Sequence, residues 1–363
     1  MFYFLLYPLR ELIPAFRIFG YTSFRLVMAA LTSLVLVLWL GPKFFNFLRR
    51  INFKENIRED GPSTHHKKAG TPTMGGLLLI SASSLSILLW GNLANIHVLI
   101  FWLCTFLFSM LGFYDDYSKA KKNVQGGLAP KSKFLFQLGI AAIFSGFLFF
   151  FPTGEDGCLH TALYFPFLKE PIAYLGWLAI PFWILFITAF SNAVNLTDGL
   201  DGLATGLSII SLSALSAIGF ITGYLTLTEY LLIPYIPESS EITVVVVAVI
   251  GACIGFLWYN GYPAQVFMGD TGSLMLGGVI SMAAIFLKRE ILLVILGGVF
   301  VAETISVMLQ VASYKIRKKR IFKMAPLHHH FELQGWHENK IVSRFMIIGV
   351  LLALISMSSL KIM

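Results

Sequence analysis

ITVVVVAVIGACIGFLWYNGYPAQVFMGDTGSL, residues 242–274, joins two unlike pieces. From Ile242 to Tyr259 the chain is apolar and uncharged, long enough to cross roughly 30 Å of hydrocarbon as a helix. The apolar residues are continuous and do not alternate, which argues against a strand of a transmembrane barrel. A loop of glycines, Asn260 and Pro263 then brings one acid, Asp270, to the start of the next apolar run. A carboxylate at the rim of hydrocarbon is costly and usually marks a functional site.

The same pattern recurs along the 363 residues, of which 57% are hydrophobic and 13% charged, outside the range of soluble globular domains. It predicts an all-α polytopic integral membrane protein with about ten transmembrane helices, near 22–41, 73–90, 96–114, 133–151, 171–190, 199–223, 242–259, 272–287, 291–313 and 341–360. Residues 1–363 read as one membrane domain, with 1–21 as an interfacial segment. That segment lacks the basic start of a secretory signal and carries Pro8, Glu11 and Pro14 where an apolar core should run. Cys104 and Cys253 fall inside apolar runs, so no disulfide framework is indicated.

An even number of spans puts both termini on one side. Loops 42–72, 115–132, 191–198, 260–271 and 314–340 then share the other. They carry Lys43, Arg49, Arg50, Lys54, Arg58, Lys67, Lys68, Lys119, Lys121, Lys122, Lys131, Lys315, Arg317, Lys318, Lys319, Arg320, Lys323 and Lys340. The opposite loops carry only Lys169, Lys288 and Arg289. The positive-inside rule makes the first set cytoplasmic and places the termini on the outer, periplasmic side. This distribution explains the net charge of +8, so no nucleic-acid partner is expected. Asp115, Asp116, Asp198, Asp201 and Asp270 all fall on the basic side, although sidedness was assigned from Lys and Arg alone.

GFYDDYSK, residues 112–119, sets two carboxylates side by side; they stay ionised together only near a metal or cations. An interfacial cap would explain an isolated pair equally well. In NLTDGLDGLATG, residues 195–206, Asp198 and Asp201 are three apart and share a face in a helical turn. Capping would need only one of Asn195, Thr197 and Asp198, and helix starts favour anions. Asp270 could cap its own helix, but a carboxylate there also suits magnesium, which takes oxygen ligands and commonly shares them with phosphates. Phe267 could stack on a nucleobase or anchor the rim. In PLHHHFE, residues 326–332, three successive imidazoles cannot all face one ligand on a helix. Residues 58–76, REDGPSTHHKKAGTPTMGG, end in a run that reads as a structured loop, and Glu303 stands alone within the ninth span.

DGPSTHHKKAGTPTMGG, GFYDDYSK, NLTDGLDG, VFMGDTGSL and PLHHHFE occur in that order. Together they resemble the phospho-N-acetylmuramoyl-pentapeptide transferase family of the polyprenyl-phosphate N-acetylhexosamine-1-phosphate transferase superfamily. The three acidic motifs carry the superfamily, and the GTPTMGG and HHH segments its muramyl-pentapeptide branch. The resemblance implies transfer of phospho-MurNAc-pentapeptide from UDP-MurNAc-pentapeptide to undecaprenyl phosphate, releasing UMP and forming lipid I, a step of peptidoglycan synthesis. It implies Mg2+, a homodimer and a bacterial inner-membrane location. It makes Asp115, Asp116 and Asp270 catalytic, with Asp270 the magnesium ligand. Substrate-binding positions by the same resemblance are Lys68, Thr73, Lys119, Lys131, Asn195, Leu196, Asp198, Asp201, Asn260, Phe267, His328, His329 and His330. The alternatives are a sister transferase acting on UDP-N-acetylglucosamine and a membrane transporter. Transporters hold their ionisable groups near the midplane, and these aspartates lie at one rim.

Overall fold

The computed structural model describes residues 2–50, 70–122, 127–153, 161–168 and 170–360. The helices are α1 (Phe2–Leu6), α2 (Thr22–Arg50), α3 (Gly76–Trp90), α4 (Ile96–Lys122), α5 (Pro130–Phe150), α6 (Ala179–Thr197) and α7 (Leu203–Thr222). They continue with α8 (Leu225–Leu231), α9 (Ser239–Asn260), α10 (Gly269–Phe286), α11 (Glu290–Leu296), α12 (Gly298–Arg317), α13 (Leu327–Glu332) and α14 (Glu338–Ser358). Among the described residues, the only sheet pairs Ala162–Leu163 with Ala173–Tyr174. The fold is all-α, and nine of the described helices are long and apolar enough to cross a membrane.

The span expected at 73–90 is α3, only 15 residues long and so roughly 22 Å in length. The chain before it is extended and paired. Phe267 N–H donates to the Pro72 carbonyl, and Gly75 and Gly76 donate to the carbonyls of Phe267 and Met268, all at 2.9 Å. The GTPTMGG run is thereby docked onto the loop that carries Asp270. The span expected at 291–313 is broken at Gly297 and Gly298 into α11 and α12, paired glycines being a usual cause of such breaks.

Two further spans run beyond their apolar limits. α4 continues from the expected end at 114 to Lys122, and α6 from 190 to Thr197. Hydropathy stops at the first polar residue, whereas the helix continues wherever its polar face has partners. α6 also starts later than 171, because the chain before it forms the second strand and a 3-10 turn at Gly176–Leu178.

α10 is the axis of the bundle. Every residue from Thr271 to Phe286 is buried, as expected for a helix apolar on all sides. It packs on α4, α6, α3 and α7. Small residues allow the close approach: a methyl at Gly112 of α4 would overlap the Asp270 carbonyl.

The turns assigned to one side from Lys and Arg content meet at one end of this axis. Lys133 of α5 and Asn195 of α6 both bond Asp270, at 2.6 and 2.7 Å. Asp201 N–H, in the α6–α7 turn, donates to Glu338 Oε1 of α14 at 2.7 Å.

Candidate active site

Asp115 and Asp116 occupy the last turns of α4, and Asp270 the first turn of α10. One carboxylate oxygen from each lies within 4.8 Å of the others. Two lysines bridge the group. Lys119 Nζ stands 2.7 Å from Asp115 Oδ2 and 2.8 Å from Asp270 Oδ2. Lys133 Nζ stands 2.6 Å from Asp270 Oδ2 and 3.5 Å from Asp115 Oδ2. The continuation of α4 past residue 114 makes this possible, because Asp115 and Lys119 are one helical turn apart. Three carboxylates against two ammonium groups leave one formal negative charge uncompensated within the cluster. The Lys119 side chain is 42% exposed, so it can turn towards an incoming anion.

The remaining acceptors separate the aspartates by role. Asp270 Oδ1 takes a hydrogen bond from Asn195 Nδ2, which also donates to Ser273 Oγ at 2.8 Å. Asp115 Oδ1 accepts from Leu128 N–H at 2.7 Å. Asp116 faces the start of α10: Oδ1 accepts from Asp270 N–H at 3.1 Å, and Oδ2 from the N–H and hydroxyl of Thr271 at 2.9 and 2.7 Å. It caps that helix from a neighbouring one, satisfying N–H groups that have no partner within α10. Gly269 makes room for this, with φ of +71° and no side chain to meet Asp116 Oδ2 or Thr73 Oγ1.

Other expected residues shape the walls. Asp201 Oδ2 accepts from Ala264 N–H at 3.0 Å. Asn260 donates to the Val266 carbonyl at 3.0 Å and accepts from Thr205 at 2.9 Å. These two side chains hold the loop whose far end presents Phe267, a half-buried ring. Leu196, in the last turn of α6, and Asp198, on the α6–α7 turn, are half-buried, and Thr73 is buried beside Gly269. Lys131 lies exposed on the first turn of α5; the α5 lysine that reaches the aspartates is Lys133. Lys68 lies outside the described residues.

The three histidines diverge. His328 is enclosed and meets Glu303, Nδ1 to Oε1 3.2 Å. His329 Nδ1 lies 2.7 Å from Glu332 Oε2. His330 accepts from Lys323 N–H at 3.1 Å and pairs with Gln334 at 2.8 Å. Beside α13 runs an apolar groove of about 500 Å3, whose lining includes Val299, Glu303, Leu327, Phe331, Phe345 and Leu352. Sequence reading missed Lys133, Ser273 and Glu338.

Residues 98–288 match the family described as Glycosyl transferase family 4. Residues 68–80 match phospho-N-acetylmuramoyl-pentapeptide-transferase signature 1. The chain is 49% identical over 354 residues, 95% of each chain, to the phospho-N-acetylmuramoyl-pentapeptide-transferase of Leptospira biflexa serovar Patoc. It is 47% identical over 363 residues, the full length of both, to the one from Desulfotalea psychrophila. With the one from Citrifermentans bemidjiense it shares 48% identity over 361 residues, 99% of each.

Proposed function

Because the chain belongs to the phospho-N-acetylmuramoyl-pentapeptide-transferase family, we propose that it moves phospho-MurNAc-pentapeptide from UDP-MurNAc-pentapeptide to undecaprenyl phosphate, releasing UMP and forming lipid I. The observation that carries this reading is the knot of Asp115, Asp270, Lys119 and Lys133 at one end of a buried helix. Donor and acceptor each bring phosphates, and the knot supplies cations at fixed positions together with carboxylates that bind a further one.

The acceptor's phosphate oxygen attacks the β-phosphorus, and the bond from that phosphorus to the bridging oxygen breaks, leaving UMP with the electron pair. A lipid phosphate has its second ionisation near pH 6, so at neutral pH the nucleophile needs no base. Asp115 therefore orients the acceptor and holds Lys119 and Lys133 in place. The two lysines meet the charge that moves onto the phosphate oxygens during transfer. Asn195 and Ser273 keep Asp270 directed into the cleft, and Phe267 offers a face to the uracil.

Magnesium fits the cluster: the donors are hard oxygens on three carboxylates, and the five charged groups are one positive charge short of balance. Asp270 and Asp115 would hold it, and when bound it supplies neutralisation of the diphosphate and of the leaving oxygen. The apolar groove beside α13 suits the acceptor's prenyl chain. The concentration of Lys and Arg in the loops at this end supports a site that faces the cytoplasm, with the chain in the bacterial inner membrane. A homodimer belongs to the same reading and is checked by cross-linking in native membranes.

The test is UMP release by the purified protein with undecaprenyl phosphate and either UDP-MurNAc-pentapeptide or UDP-N-acetylglucosamine. Release from the first alone is expected. Release from the second alone would assign the chain to the sister activity.

A further inference from the structure

Glu303 of α12 and His328 of α13 are both 0% exposed. Glu303 Oε1 receives the backbone N–H of His328 and faces its Nδ1, each at 3.2 Å. A carboxylate oxygen accepts, so Nδ1 is the donor, and Glu303 holds His328 by its ring and by its backbone. That orientation turns Nε2 to the opposite side, against the α6–α7 turn. A methyl on Gly199 would overlap Nε2 and lie 2.9 Å from Cε1 of the same ring. Gly199 is not among the residues with positive φ, so its own backbone would accept alanine. The imidazole is what excludes a side chain there.

The first glycine of NLTDGLDG and the first histidine of PLHHHFE are thus two halves of one contact. Gly199 lies in the turn that follows α6, four residues beyond Asn195, the residue that holds Asp270 Oδ1 at 2.7 Å. A fully enclosed carboxylate is expensive, and a well-packed apolar pair would stabilise the same space at least as well. Among the described residues, Glu303 Oε2 and His328 Nε2 have no hydrogen-bond partner, a further cost that packing alone does not explain.

We propose that Glu303 and His328 are positioning residues, a buried strut that sets the α6–α7 turn and, through Asn195, the direction of Asp270. The proposal rests on the transferase reading above. His328 does not touch substrate; it acts through Gly199, and Glu303 acts through His328. A displacement of the turn by about 1 Å would be enough to cost on the order of a hundredfold in turnover.

The test uses the purified full-length protein, with kcat and KM for UMP release and the melting temperature measured for each variant. Gly199→Ala and His328→Ala should each lower kcat about tenfold or more with little change in nucleotide KM. The double variant should be about as active as His328→Ala alone, since the methyl takes the space the ring has left, a coupling of about tenfold. His328→Asn, whose amide can replace the Nδ1 donor, and Glu303→Gln, which keeps an acceptor, should recover most of the turnover lost in His328→Ala and Glu303→Leu. Losses that multiply in the double variant would overturn the proposal, as would failure of His328→Asn to recover activity. If the wild-type protein releases no UMP, the transferase reading fails. The strut is then judged by the coupling of melting temperatures across Gly199→Ala, His328→Ala and their double, where additive shifts would overturn it.

Discussion

Both ends of α10 gather charged side chains, and they use them in opposite ways. At the Gly269 end, Asp270 faces Asp115 across two lysines, one of them partly exposed. At the Phe286 end, Lys288, Arg289 and Glu290 are between 1% and 4% exposed. There the Lys288 ammonium lies 4.8 Å from the centre of the Trp183 ring, and Trp183 Nε1 donates to Glu290 Oε1 at 3.0 Å. Burial pushes Lys288 down to about 8. Charge beside hydrocarbon is therefore not sufficient evidence of a site. The end that can do chemistry is the one where three carboxylates converge on two shared cations.

The most severe way to break this contrast is Asp270→Asn. It should cost on the order of a thousandfold in turnover while the protein stays folded in the membrane; near-normal turnover would remove Asp270 from the site. Next, Lys133→Met should cost roughly a hundredfold and Lys131→Met almost nothing, a pair that separates the lysine in the knot from its exposed neighbour. Equal effects would contradict the geometry. Phe267→Ala should raise the KM for the uridine nucleotide about tenfold, the scale of one base–aromatic stack, and leave the KM for lipid unchanged. An unchanged nucleotide KM would refute stacking.

The smallest effect belongs to the far end, where Lys288→Met should leave turnover intact. Its signature is in pH. The Lys288 ammonium loses its proton near 8 in the folded protein and near 10.5 when unfolded, so between those values the unfolded chain binds the extra proton. Stability contributed at this position rises with pH across that window. The melting temperature of the wild-type protein relative to Lys288→Met should rise by a few degrees from pH 8 to 10; a fall would contradict the assignment.

Much of this was legible from residues alone. Long apolar runs announce spans because hydrocarbon requires them, and the convergence of the acidic loops followed from charge asymmetry. Facing was not legible. Whether Lys131 or Lys133 reaches the aspartates depends on where α5 begins, since two residues rotate a helix position by about 200°. The same limit hid the division between Asp115, which faces the lysines, and Asp116, which turns a step further to cap α10. Gly297 and Gly298 signalled the break in the ninth span, but a count based on hydropathy passes over glycine. The pairing of Glu303 with His328 leaves no local trace, because their spacing of 25 residues crosses a loop.

The most direct measurement is UMP release by the purified protein after chelation, followed by titration with magnesium, for the wild type and Asp270→Asn side by side. The expected result is no release by the chelated wild type, saturable recovery with added magnesium, and no recovery in the variant. Full release in the presence of chelator, or the same magnesium curve for both proteins, would contradict a metal and phosphate site at the Gly269 end of α10.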